Sequence, residues 1–84
     1  MTAKHDVVTV SFGGQQATVD YQPQAAMESL LVHSRNEFGA NNQHTLGLFT
    51  ENGTELQPYE NSIVSFGITP GQVLYLKPST VKGG

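Results

Sequence analysis

The 84-residue chain has no cysteine and no tryptophan, and only four lysines and arginines in all. Without a thiol there is no disulfide framework, no thiolate metal site and no sulfur nucleophile. Such a fold must rest on apolar burial alone. Charged residues make up 13% of the chain, about half the usual quarter of a soluble domain. The formal net charge is −3, and the four cations, Lys4, Arg35, Lys77 and Lys82, are scattered along the sequence. A nucleic-acid binder needs its cations gathered into a stripe, so that class is set aside. No apolar run approaches the ~18 residues of a membrane span. The run after Lys4 is also too short for a secretion signal, so a cytoplasmic location is expected.

What is present is enough for one small folded domain. Hydrophobic residues reach 37%, well above a disordered composition. Val7-Val8-Thr9-Val10-Ser11-Phe12 is β-branched, with Val8, Val10 and Phe12 on one face. Gly13-Gly14-Gln15-Gln16 reads as a hairpin connection, and Ala17 to Tyr21 alternates again with Val19 and Tyr21 inward. Pro23 then opens a helical stripe of Met27, Leu30, Leu31, Ser34 and Phe38, closed by Gly39 at a left-handed cap position. No Ser, Thr or Asp stands where its N-terminal cap belongs. Thr45 to Phe49 reads as a strand, Asn52-Gly53 as a turn, and Leu56 as the start of a short return strand. Ile63, Phe66 and Ile68 mark a turn of helix and a loop. Thr69-Pro70-Gly71 turns into a last strand, Gln72 to Lys77, which Pro78 ends.

The order implies an α+β fold, a mixed sheet of four to five strands wrapped around one helix. The first and last strands can be parallel neighbours because the helix makes the crossover. Residues 1–6 are read as a flexible arm, 7–77 as the domain, and 78–84 as a flexible tail ending in Gly83-Gly84.

Catalytic and metal readings find little support. His33 and Ser34 are neighbours on a helix and point apart, so they form no nucleophile–base pair. His5 falls in the arm and His44 in a polar loop, too dispersed for a metal site. Gly13-Gly14 precedes no helix and so cradles no phosphate. No catalytic residue and no metal ligand is assigned.

The stretch Leu48-Phe49, Asn52-Gly53, Leu56, then Ser62 through Leu76, together with the final Gly83-Gly84, resembles the ubiquitin family. The likeness covers Val7 to Leu76 and the last two residues. Within the family it is most similar to the modifiers of bacterial conjugation operons, which carry their own activating enzyme, conjugating enzyme and metalloprotease. The resemblance implies a ubiquitin-like β-grasp and a monomeric protein modifier, a substrate and cargo rather than an enzyme. Gly84 would be adenylated by a partner activating enzyme using ATP, passed to partner cysteines and joined to amines of target proteins. A deconjugating protease completes the partner set, and no cofactor is bound. Glycine suits the task because, lacking Cβ, it threads a narrow channel. Sulfur carriers with a C-terminal thiocarboxylate, of the thiamine or molybdopterin type, share the same ending, and Pro78 before the tail is similar to the latter. A non-conjugated ubiquitin-like interaction domain is the third reading.

The resemblance also places a recognition surface. With Leu46 and Leu48 inward, Phe49 and Tyr75 would stand side by side on the outer face where ubiquitin displays its docking patch. Lys77 takes the place of a valine there, and Gly13-Gly14 that of a leucine. A register shift by one would instead put Phe49 in the core. Ser79 falls near the position that selects the activating enzyme. Of the three lysines, Lys4 is the convenient side-chain acceptor, because Lys77 borders the docking face and Lys82 lies in the tail.

Overall fold

The computed structural model describes residues 6–79. The strands are β1 (Asp6–Phe12), β2 (Gln15–Tyr21), β3 (Leu46–Phe49) and β4 (Val73–Pro78). The helix α1 spans Met27–Glu37, and a 3₁₀ turn spans Ile63–Phe66. Asp6 and Pro78, expected in the arm and the tail, therefore belong to strands; the rest of the arm and residues 80–84 lie outside the described residues.

The sheet order is β2-β1-β4-β3. β1 and β2 are antiparallel in unbroken register from Asp6↔Tyr21 to Phe12↔Gln15. Their two-residue loop holds Gly13 and Gly14 at φ 59° and 88°, the doubly left-handed turn that matches strand twist. β1 and β4 are parallel, as the helical crossover requires, and β3 runs antiparallel to β4. The return strand expected at Leu56 reduces to a single bridge between Phe49 and Glu55, so the described sheet has four strands.

The helix buries its expected stripe of Met27, Leu30, Leu31 and Ser34. They meet Val8, Val10, Val19, Leu46, Leu48, Leu74 and Leu76 from the sheet's inner face. The Ser34 hydroxyl is made harmless in that core by donating to the Leu30 carbonyl. Phe38 is only partly buried and lies tilted against Phe12, 5.3 Å between centroids. Arg35, one of the four cations, is buried on the same helix, and its Nε has no partner among the described residues. At the helix end, the Ala40 N–H donates to the Arg35 carbonyl and the Gly39 N–H to that of Asn36. This is the paired closure that needs a left-handed residue, here Gly39 at φ 67°.

The missing N-cap is explained by tertiary structure. Ala26 provides no side-chain bond. Instead, the N–H groups of Met27 and Glu28 donate to the backbone carbonyls of Asn61 and Tyr59. A segment far away in sequence thus satisfies donors that a local Ser or Asp usually takes.

Candidate functional site at the root of the tail

β3 is an edge strand, and its outer edge is closed by the chain that follows it. The Leu56 N–H donates to the Leu48 carbonyl at 2.8 Å. The Leu48 N–H donates to the Tyr59 hydroxyl at 3.0 Å. An edge that could otherwise template another strand is thereby used up. Because Leu48 turns its polar groups outward, Gly47 and the residue two beyond Lys77 turn theirs toward each other's strand. The Ser79 N–H accordingly donates to the Thr45 carbonyl and carries the β3–β4 pairing one step past β4.

The Tyr59 hydroxyl that accepts from Leu48 also donates to Glu55 Oε2 at 2.7 Å. The Ser79 hydroxyl donates to the same oxygen at 2.6 Å. One carboxylate oxygen therefore gathers two hydroxyls, from positions 4 and 24 residues away. All three side chains sit over Gly47. A Cβ placed there would lie 2.5 Å from Glu55 Oε2, 2.6 Å from the Tyr59 hydroxyl and 3.0 Å from Ser79 Cβ. The glycine is needed for space, since its backbone is not left-handed.

Burial, and then the bond to Glu55, push the Tyr59 phenol well above its usual value near 10. Tyr21 is raised too, by burial and by the Asp6 carboxylate. Both phenols stay neutral in the folded chain after their unfolded counterparts ionise. Their contribution is complete below the unfolded value of about 10 and is lost as pH rises above it. The urea midpoint is therefore expected to hold steady to about pH 10 and then fall. The limit is about 1.4 kcal/mol per pH unit for each phenol kept neutral. A midpoint unchanged to about pH 11 would show that Tyr59 ionises as easily folded as unfolded.

The expected recognition residues fall on this outer face, with corrections. Phe49 pairs with Tyr75, and Leu48 with Leu76, so the register places the two aromatics side by side as anticipated. Phe49 is not in the main core cluster, yet it is only 9% exposed. The Lys77 ammonium lies 4.9 Å from its ring centroid, a cation–π contact that covers an otherwise open face. Phe49 is thus neither the exposed anchor nor the core residue of the two expectations. Tyr75 is half-buried and Lys77 exposed. Ser79, expected as a surface determinant, is 5% exposed and turned inward to Glu55. Gly83, Gly84 and Lys4 lie outside the described residues.

Among the described residues, no three His, Asp or Glu side chains converge as a metal would require. His33 and His44 are both exposed. No helix of the described residues is long and apolar enough to cross a membrane. The Glu55–Tyr59–Ser79 cluster carried no sequence signal, because its members are polar residues at unremarkable spacings. A glycine inside the short strand at position 47 was the one available hint.

No protein-family model matches the chain, and no curated protein matches it. Solved structures do. A de novo designed protein based on ubiquitin is 26% identical, covers 95% of each chain and superposes with a TM-score of 0.78. The ubiquitin-like domain of Plasmodium falciparum Dsk2 is 18% identical over 90% of this chain and all of its own, with a TM-score of 0.76. A ubiquitin-like domain from Arabidopsis thaliana is 22% identical over 93% of this chain and 81% of its own, with a TM-score of 0.72. The fold is a ubiquitin-like β-grasp, a mixed four-stranded sheet with one helix.

Proposed function

We propose that this ubiquitin-like chain is a protein modifier of the kind encoded in bacterial conjugation operons. A partner activating enzyme adenylates Gly84, the acyl group passes to partner cysteines, and an amine of a target protein accepts it. The observation that supports this is the arrangement at the end of the sheet. Ser79 is tied to Thr45 and Glu55, and Gly83-Gly84 follow four and five residues later. A side-chain-free pair on a short leash from a rigid body suits entry into a narrow catalytic channel. The acyl transfer balances as carboxylate plus ATP giving acyl adenylate and pyrophosphate. Thiolate attack then releases AMP, and amine attack releases the thiol.

The cysteines must be the partners', since this chain has none. Partner docking falls on the outer face around Tyr75 and Lys77, with Phe49 beneath the lysine, and Lys4 is the convenient acceptor of a second copy. Likeness to the ubiquitin-like domains of Dsk2 and of the Arabidopsis protein favours a second reading, a domain that binds partners without being conjugated.

Intact mass separates the readings after incubation with ATP and an activating enzyme from the same source. Adenylate, thioester and amine adducts are expected. In a parallel mixture that also holds a cysteine-persulfide donor and a thiol reductant, the persulfide displaces AMP and the thiol reduces the resulting acyl disulfide; the net replacement of one oxygen by sulfur would instead make it a sulfur carrier. An unchanged mass in every mixture would leave the interaction domain.

A further inference from the structure

We infer that Glu55 is a positioning residue for the tail, acting through Ser79. This rests on the modifier reading for its purpose but not for its geometry. Three separate segments converge on the carboxylate: β3 through the Leu48 N–H on Tyr59, the connecting chain through Tyr59 itself, and the residue after β4 through Ser79. These bonds are polar and lie outside the apolar cluster, which the sheet's inner face, α1 and Leu56, Ile63 and Ile68 of the connecting chain form, with the Tyr59 ring packed against it. Glu55 is only half-buried, so water could solvate its carboxylate in place of the two hydroxyls. The arrangement also excludes any side chain at position 47. Its consequence is local. Ser79 is held by its backbone N–H on Thr45 and by its hydroxyl on Glu55, and these two bonds tie the root of the tail to the edge of the domain.

Gly84 is the fifth residue after Ser79, a reach of at most about 17–18 Å when fully extended. With so short a tether, the orientation of its root decides where the reacting carboxyl can be found. A root held in one orientation lowers the ordering required when the tail enters an enzyme. Ser79 thus works from the inside, holding the tail, rather than as a group read from the surface.

The test compares the wild-type chain with Ser79→Ala, Glu55→Ala and Glu55→Gln. The last keeps an acceptor oxygen for both hydroxyls while removing the charge. Exchange of the amide at position 79, read by NMR on the whole chain, is expected to quicken about tenfold in the two alanine variants. Amides of β1 and α1 should keep their wild-type rates, and Glu55→Gln should stay near wild type. In ATP–pyrophosphate exchange, the alanine variants should raise KM for this chain about three- to tenfold with kcat unchanged, and Glu55→Gln should restore it. Wild-type exchange at position 79 in both alanine variants would overturn the inference. So would a Glu55→Gln variant as fast as Glu55→Ala, or a fall in kcat at constant KM. A wild-type chain that no activating enzyme accepts would remove the modifier reading, while the amide rates would still decide whether Glu55 holds the root.

Discussion

Gly47→Ala is expected to lower the stability of the domain by about 3 kcal/mol, although it adds a single methyl to a residue in ordinary strand geometry. The methyl would occupy space already taken by Glu55 Oε2, the Tyr59 hydroxyl and Ser79 Cβ. These neighbours differ in how they can yield. The Glu55 carboxylate can swing out, but only by surrendering both hydroxyls it accepts from. The Tyr59 ring is rigid and held at both ends: its hydroxyl accepts from Leu48 and its backbone carbonyl from Glu28 at the helix start. Ser79 is tied to Thr45 through its backbone.

Overpacking of this kind costs about 1–3 kcal/mol. Displacing Tyr59 also strips the acceptor from the buried Leu48 N–H, which costs about 1–3 kcal/mol more. Urea unfolding measures the sum. A second change, Glu55→Ala, should add little on the Gly47→Ala background, because the first has already broken the same contacts. A loss below about 0.5 kcal/mol would mean that the cluster moves aside without cost.

If the chain is the modifier proposed above, removing Gly84 is expected to abolish adenylate formation completely while leaving stability within about 0.5 kcal/mol. On the modifier reading, the two effects separate because the reacting carboxyl is at Gly84 while the described core lies earlier in the chain. The last residue of the core cluster is Leu76, and the last described anchoring bonds are those of Ser79, well before Gly84. Deletion shortens the reach by one residue, about 3.5 Å, and ends the tail at Gly83. On that reading the acyl carbon would stop short of the activated phosphate, a misplacement far beyond what a positioned reaction tolerates. ATP–pyrophosphate exchange and a thermal melt on the same sample measure both quantities. Full exchange by the shortened chain would sink the modifier and sulfur-carrier readings together. A large drop in melting temperature would show that the tail is part of the packed domain.

The amino-acid sequence by itself determined the elements and their faces. Alternation in Val8, Val10 and Phe12, the stripe from Met27 to Ser34, and the glycines at 13, 14 and 39 each carry a local physical requirement. Periodicity sorts apolar from polar faces, and left-handed backbone selects glycine. These requirements act within a few residues, so they can be read without knowing the rest of the chain. The same reasoning placed Phe49 beside Tyr75, because a strand's side chains alternate and the inward leucines set the register.

Only the tertiary structure decided what covers each face. The N-terminus of α1 is satisfied by carbonyls of residues 59 and 61 rather than by a neighbour. Phe49 faces outward yet is closed over by Lys77, and Arg35, one of the scattered cations, is buried. Ser79 turns inward because a carboxylate 24 residues earlier waits for it over a glycine. Polar side chains obey no period, and a hydrogen bond depends on a few tenths of an ångström between segments far apart in sequence. Their partners exist only once the backbone has brought those segments together.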